Sequence, residues 1–88
     1  MLNKLTHSVI VDVRTPDEYR QGHYPDAVNI PLNQVVARVG EIKSWNKPVV
    51  LYCRSGNRSA MALSLLVQQG LAAVSNGGGL DDMRRATR

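Results

Sequence analysis

The sequence predicts a small α/β domain with a mainly parallel sheet flanked by helices. Three observations lead there. Short β-branched runs, Val9-Ile10-Val11 and Val49-Val50-Leu51 among them, alternate along the chain with stretches of helix formers. Those runs are apolar without interruption, as expected of strands covered on both faces. Strands that alternate with helices over the whole chain favour parallel pairing and right-handed crossovers.

The elements follow in order. Ser8–Val13 reads as the first strand, with Asp12 interrupting the apolar run near its C-terminal end, where open parallel sheets bind ligands. Thr15-Pro16-Asp17-Glu18 supplies an N-cap, a first-turn proline and a capping-box glutamate, so a short helix is expected up to Gly22. Val28-Asn29-Ile30 reads as a brief second strand closed by Pro31. Asn33 is expected to cap the next helix, with Val35, Val36, Val39 and Ile42 as its apolar stripe. Three valines and Gly40 make that helix weak by propensity, so packing has to hold it. Trp45 reads as a cover for the sheet's edge. Val49-Val50-Leu51-Tyr52 is the third strand, and a helix is expected from about Ser59 to Gln69. Ala62, Leu63, Leu66 and Val67 form that helix's apolar face, widened by Met61 and Leu65, with Met61 assigned to packing alone. Gly70 is placed as its C-terminal cap with Leu71 folding back on Leu66. Ala72–Ser75 is expected as a fourth strand, and Gly77-Gly78-Gly79 as a turn into a last helix from Leu80 to about Ala86.

Composition bounds the function. Eighty-eight residues make one domain near the lower limit for folding without staples, and a 43% hydrophobic content supplies the core. A single cysteine excludes an intramolecular disulfide and a cysteine-rich zinc site. The formal charge of +4 suits anionic small molecules. Three cations, Arg84, Arg85 and Arg88, lie in the last five residues, but no basic face is interleaved with aromatics. A nucleic-acid partner is therefore not expected. No apolar run reaches membrane-spanning length, and Met1–His7 lacks the apolar core of a leader peptide. The expectation is a monomer in the cytoplasm for the chain as it stands, or in the periplasm if a leader has been removed.

The chemistry points to Cys53-Arg54-Ser55-Gly56-Asn57-Arg58-Ser59. The cysteine sits where a strand ends and a small polar loop enters a helix. Unpaired N–H groups and the positive end of the helix dipole stabilise a thiolate there. Arg54 and Arg58 add two fixed positive charges. A structural cysteine would more often be flanked by apolar residues on both sides. Cys53 therefore reads as a nucleophile.

Four motifs in the right order now give a resemblance to the rhodanese domain, the family of single-cysteine sulfurtransferases. Val11–Tyr19 resembles the family's D-V-R-x-x-x-E-[YF] opening, and Gly22–Pro31 its G-H-I-P-G-A-x-N-I-P stretch. Val50–Ser59 resembles the catalytic-loop signature, and Asn76–Gly79 the glycine turn before the final helix. Asp26 stands where the family often has glycine, and Met83 near its usual tryptophan. The reading makes residues 1–88 one rhodanese-like domain, without the strand and helix that usually precede the opening motif. In this it resembles the small bacterial phage-shock type.

The resemblance implies a thiosulfate sulfurtransferase working through a cysteine persulfide, with a small anionic sulfur donor, a thiol or cyanide acceptor, and no cofactor or metal. Cys53 would be catalytic. Arg54, Ser55, Gly56, Asn57, Arg58 and Ser59 would bind substrate, with either arginine facing the oxyanion. Asp12 and Arg14 would brace the neighbouring loops through an ion pair that includes Glu18, and His23 would be structural. Two other readings stand beside it. A cysteine phosphatase or arsenate reductase uses a similar anion cradle, but resembles a cysteine, five residues and then arginine, where four residues separate Cys53 from Arg58 here. Tyr52 also stands where many such phosphatases carry histidine. A non-catalytic binding module commonly loses the cysteine that this chain keeps.

Overall fold

The computed structural model describes residues 7–86. Met1–Thr6, most of the stretch tested above for a leader, and Arg88 of the C-terminal cations lie outside the described residues. Four strands, β1 (Val9–Asp12), β2 (Val28–Asn29), β3 (Val49–Cys53) and β4 (Val74–Gly79), form one sheet in the order β2-β1-β3-β4. Every neighbouring pair is parallel. The helices are α1 (Pro16–Gln21), α2 (Val39–Ser44), α3 (Asn57–Gln68) and α4 (Leu80–Ala86).

The two-residue alternation of the strands divides their side chains between two cores. Val11 and Val13 join Val49, Leu51 and Cys53 on one face, packed with Ile42 of α2 and with Ala62 and Leu66 of α3. Ile10, Val50 and Tyr52 join Tyr24, Ala27 and Met83 of α4 on the other, with Tyr19 of α1 against them. All five residues of β3 are buried. The uninterrupted apolar runs thus reflect a sheet covered on both sides. Cys53 and Tyr52, adjacent in sequence, serve opposite faces.

The local signals at α1 act as read: Thr15 and Glu18 form a reciprocal capping box, with Pro16 in the first turn and Gly22 after the end. At the end of α3, Gly70 N–H donates to Val67 and Leu71 N–H to Leu66, the paired bonds of a glycine-capped helix. Trp45 packs partly buried against the first core.

Four expectations require correction. Asn33 does not cap a helix. It lies within a 3-10 turn, Leu32–Gln34, and α2 begins only at Val39, preceded by Arg38 with no side-chain cap. The valine-rich, glycine-containing segment is too weak to stay helical throughout, so burial of Val35 and Ile42 decides its path and leaves Val36 exposed. On α3, Met61 (58% exposed) and Val67 (53%) do not pack. Each lies one residue, about 100° of helix, beyond the Ala62–Leu66 line, and a four-stranded sheet covers only a narrow arc. The helix itself starts at Asn57, two residues early. Finally, the three glycines belong to β4 rather than to a turn. Leu51 pairs with Asn76 and Tyr52 with Gly78, so Gly77 is the extra residue of a bulge, and Gly78 carries a positive φ of 91°.

Candidate active site

Cys53 ends a central strand, at the C-terminal edge of the sheet. Three loop residues later the chain enters α3, with Gly56 in a left-handed conformation (φ 96°) at the cap position. That turn folds the backbone over the sulfur. Gly56 N–H reaches Sγ at 3.0 Å, and the N–H of Ser59, in the first turn of α3, reaches it at 3.4 Å. The sulfur thereby fills the acceptor role that a polar N-cap side chain usually fills. Ser59 Oγ lies 3.5 Å from it. Burial is the largest single influence and pushes the thiol up. The Ser59 hydroxyl and the N–H groups of Ser59, Ser55 and Gly56 together outweigh it, leaving Cys53 below its ordinary value.

The loop is held down by the glycine strand. A Cβ on Gly79 would stand 2.2 Å from the Arg54 carbonyl oxygen, and one on Gly56 3.3 Å from Gly78 Cα. Backbone lies on backbone there, which only glycine permits.

The two arginines do different things. Arg58 is held in a fork by Glu18, at 2.7 and 3.0 Å. Those bonds are the main reason that the Glu18 carboxyl falls to about 2. Arg54 is exposed and, among the described residues, holds no carboxylate. It lines a cleft of about 380 Å³ with Arg14, Glu18, Gln21, Gly22, Leu80, Asp81 and Arg84. Ser55 is exposed on the loop and Asn57 at the first position of α3.

Asp12 and Arg14 form a pair beside the cleft. Asp12 is fully buried and receives a forked bond from Arg14, Nε to Oδ1 and Nη2 to Oδ2, while Arg14 also donates to the Gly22 carbonyl at 2.7 Å. Glu18 is not part of that pair, contrary to expectation, because Arg58 engages it instead. Tyr52 OH donates to Asp12 at 2.8 Å and accepts from Tyr24 N–H at 2.9 Å. Burial pushes the phenol up to about 12, so it remains a donor. His23 stacks on Tyr19, with ring centroids 3.7 Å apart, and its Nδ1 meets the Tyr19 carbonyl, so it belongs to the α1 corner.

Sequence reasoning missed three residues. Glu18 read as a capping-box acid and as a partner of Asp12 and Arg14, so its hold on Arg58 went unsignalled. Tyr52 read as a strand residue that stands where phosphatases carry histidine, with no bonding role, and its register opposite Asp12 is a tertiary fact. Asn76, read as the head of a glycine turn, donates to the Gly56 carbonyl and accepts from Ser59. An amide beside a glycine run was the one available hint.

Such a site can hold a sulfur anion beneath converging N–H groups and an oxyanion beside Arg54. Among the described residues no group of side chains has the make-up of a metal site.

Comparison with known proteins gives the family and the fold. The family described as Rhodanese-like domain matches residues 1–85. A sulfurtransferase of Allochromatium vinosum is 46% identical over 68 residues, covering 77% of this chain and 63% of that protein. The chain thus spans less than two thirds of that relative. The thiosulfate sulfurtransferase PspE of Escherichia coli is 39% identical over 74 residues, covering 83% of this chain and 71% of that one. A solved structure described as a rhodanese with anions from E. coli superposes with a TM-score of 0.78 at 38% identity, over 85% of this chain and 89% of that chain.

Proposed function

The chain belongs to the rhodanese-like family, and on that premise we propose that it transfers sulfane sulfur from thiosulfate or a similar anionic donor to a thiol or cyanide. The observation that carries the proposal is the sulfur of Cys53 under the N–H groups of Gly56 and Ser59, with Arg54 on the adjoining cleft.

In the first step the Cys53 thiolate attacks the outer sulfur of thiosulfate. A new S–S bond forms, the donor's S–S bond breaks, and sulfite leaves with its electron pair. Cys53 then carries a persulfide anion. The N–H groups that favour the thiolate hold this anion in turn, since they donate to negative sulfur in either form. Arg54, paired with no carboxylate among the described residues, binds the sulfonate end and stabilises the departing sulfite. In the second step cyanide or a thiolate takes the outer sulfur and restores the Cys53 thiolate. No separate general base is needed where the thiolate already exists, and ping-pong kinetics follow from the two half-reactions.

The test is mass spectrometry of the intact, reduced chain. Incubation with thiosulfate is expected to add one sulfur atom, cyanide to remove it, and Cys53→Ser to abolish the gain. A folded chain that gains no sulfur from thiosulfate or other sulfane donors, or that hydrolyses aryl phosphates faster than it transfers sulfur, overturns the proposal.

A further inference from the structure

The carboxamide of Asn76 joins the loop, the first turn of α3 and β4. Its Oδ1 accepts from Gly78 N–H at 2.9 Å and from the Ser59 hydroxyl at 2.7 Å, while its Nδ2 donates to the Gly56 carbonyl at 3.1 Å. The two backbone partners determine which way the amide faces, since an N–H only donates and a carbonyl only accepts. Ser59 is fully buried and its hydroxyl has one proton. With that proton on Asn76, an oxygen lone pair faces the Cys53 sulfur at 3.5 Å. This arrangement suits a thiol, whose S–H donates to the oxygen. A thiolate accepts only, so ionisation turns the hydroxyl towards sulfur. Asn76 Oδ1 keeps Gly78 N–H when that happens, and no acceptor is stranded.

We propose that Asn76 is a positioning residue for the nucleophile: its carboxamide oxygen competes with the Cys53 sulfur for the single hydroxyl proton of Ser59. It thereby sets how readily the sulfur carries negative charge. The step is balanced: the S–H proton of Cys53 leaves to water, the Ser59 O–H rotates from Asn76 to the sulfur, and no other bond changes. The charged groups around the pair are engaged differently. Arg58 is held by Glu18, Arg14 by Asp12, and Asp82 of α4 accepts from Gly79 N–H at 2.8 Å, while Arg54 lines the cleft. The proposal rests on Cys53 as nucleophile but not on the donor. A chain that ionises as described yet takes up no sulfur defeats the preceding proposal and leaves this one standing.

The pH dependence of iodoacetamide alkylation at Cys53 provides the test. The midpoint is the readout rather than the absolute rate, since Cys53 is only 1% exposed. Asn76→Asp supplies a charged acceptor that holds the proton harder. The midpoint is expected to rise by about one unit, roughly tenfold less thiolate at a given pH. Asn76→Leu releases the proton to the sulfur and is expected to lower the midpoint, giving about fivefold more thiolate. In a Ser59→Ala background the Leu effect is expected to vanish and the Asp effect to shrink to its through-space charge. A midpoint that stays or rises in Asn76→Leu overturns the proposal, as does an Asp shift of equal size in both backgrounds. Should Asn76→Asp fail to fold, the Leu pair decides alone.

Discussion

Gly79→Ala tests whether the glycine strand positions the nucleophile loop. Gly79 has no positive φ, so alanine brings no backbone strain of its own, and its effect is contact alone. The added Cβ would stand 2.2 Å from the Arg54 carbonyl oxygen, 2.9 Å from its carbon and 3.4 Å from Ser55 Cα. The closest ordinary carbon–oxygen approach is about 3.3 Å. The loop, or β4, must therefore move by roughly 1 Å. These atoms belong to the two residues that follow Cys53, so the movement reaches the N–H cradle directly. Overpacking of this kind costs about 1–3 kcal/mol. That is a fall in Tm of about 4–8 °C per kcal/mol for a domain of this size. A misplacement near 1 Å costs about 100-fold in rate. Melting by circular dichroism and sulfur loading by mass spectrometry read the two effects separately. Gly40→Ala, where a Cβ meets nothing within 4 Å, is the matched control and is expected to be neutral or stabilising. A Gly79→Ala chain with wild-type melting and wild-type sulfur loading would refute the role given to the close approach.

Three further predictions concern the charged and polar frame. Arg54→Ala is expected to lower kcat/KM for thiosulfate at least about tenfold, with the 3–4 kcal/mol of a lost oxyanion donor as the upper bound. Arg58→Ala is expected to do less to that parameter, since Glu18 already engages it; steady-state assays showing the reverse order would exchange their roles. Glu18 has a folded value of about 2 against an ordinary 4.5, so its contribution to stability is complete above about pH 4.5 and disappears as pH falls towards 2. In melting curves over that range Glu18→Gln should lose less stability than wild type, and parallel acid limbs would count against the pair. Tyr52→Phe removes the acceptor of the Tyr24 N–H and a donor to Asp12, and is expected to cost about 1–3 kcal/mol in urea unfolding. An unchanged midpoint would show the network to be idle.

What the sequence determined by itself is what neighbours in the chain can settle. The capping box of α1, the glycine cap of α3, the apolar runs of β1 and β3 and the cysteine loop are all signalled within a few residues. Each depends on propensity, periodicity or a local hydrogen bond. Where those signals were weak, as in the valine-rich stretch before α2, the local reading failed and core packing decided. The tertiary structure alone decided which charge meets which. Glu18 reaches Arg58 forty residues away, and Tyr52 reaches Asp12 across the same separation. Asn76 meets Ser59 because β4 lies beside β3 with a one-residue bulge. Strand order, register and the bulge place these partners, and no local pattern encodes them. The same physics assigned the arginines: they stand four residues apart in sequence, and both border α1, but Arg58 in the first turn of α3 is the one that meets the Glu18 carboxylate.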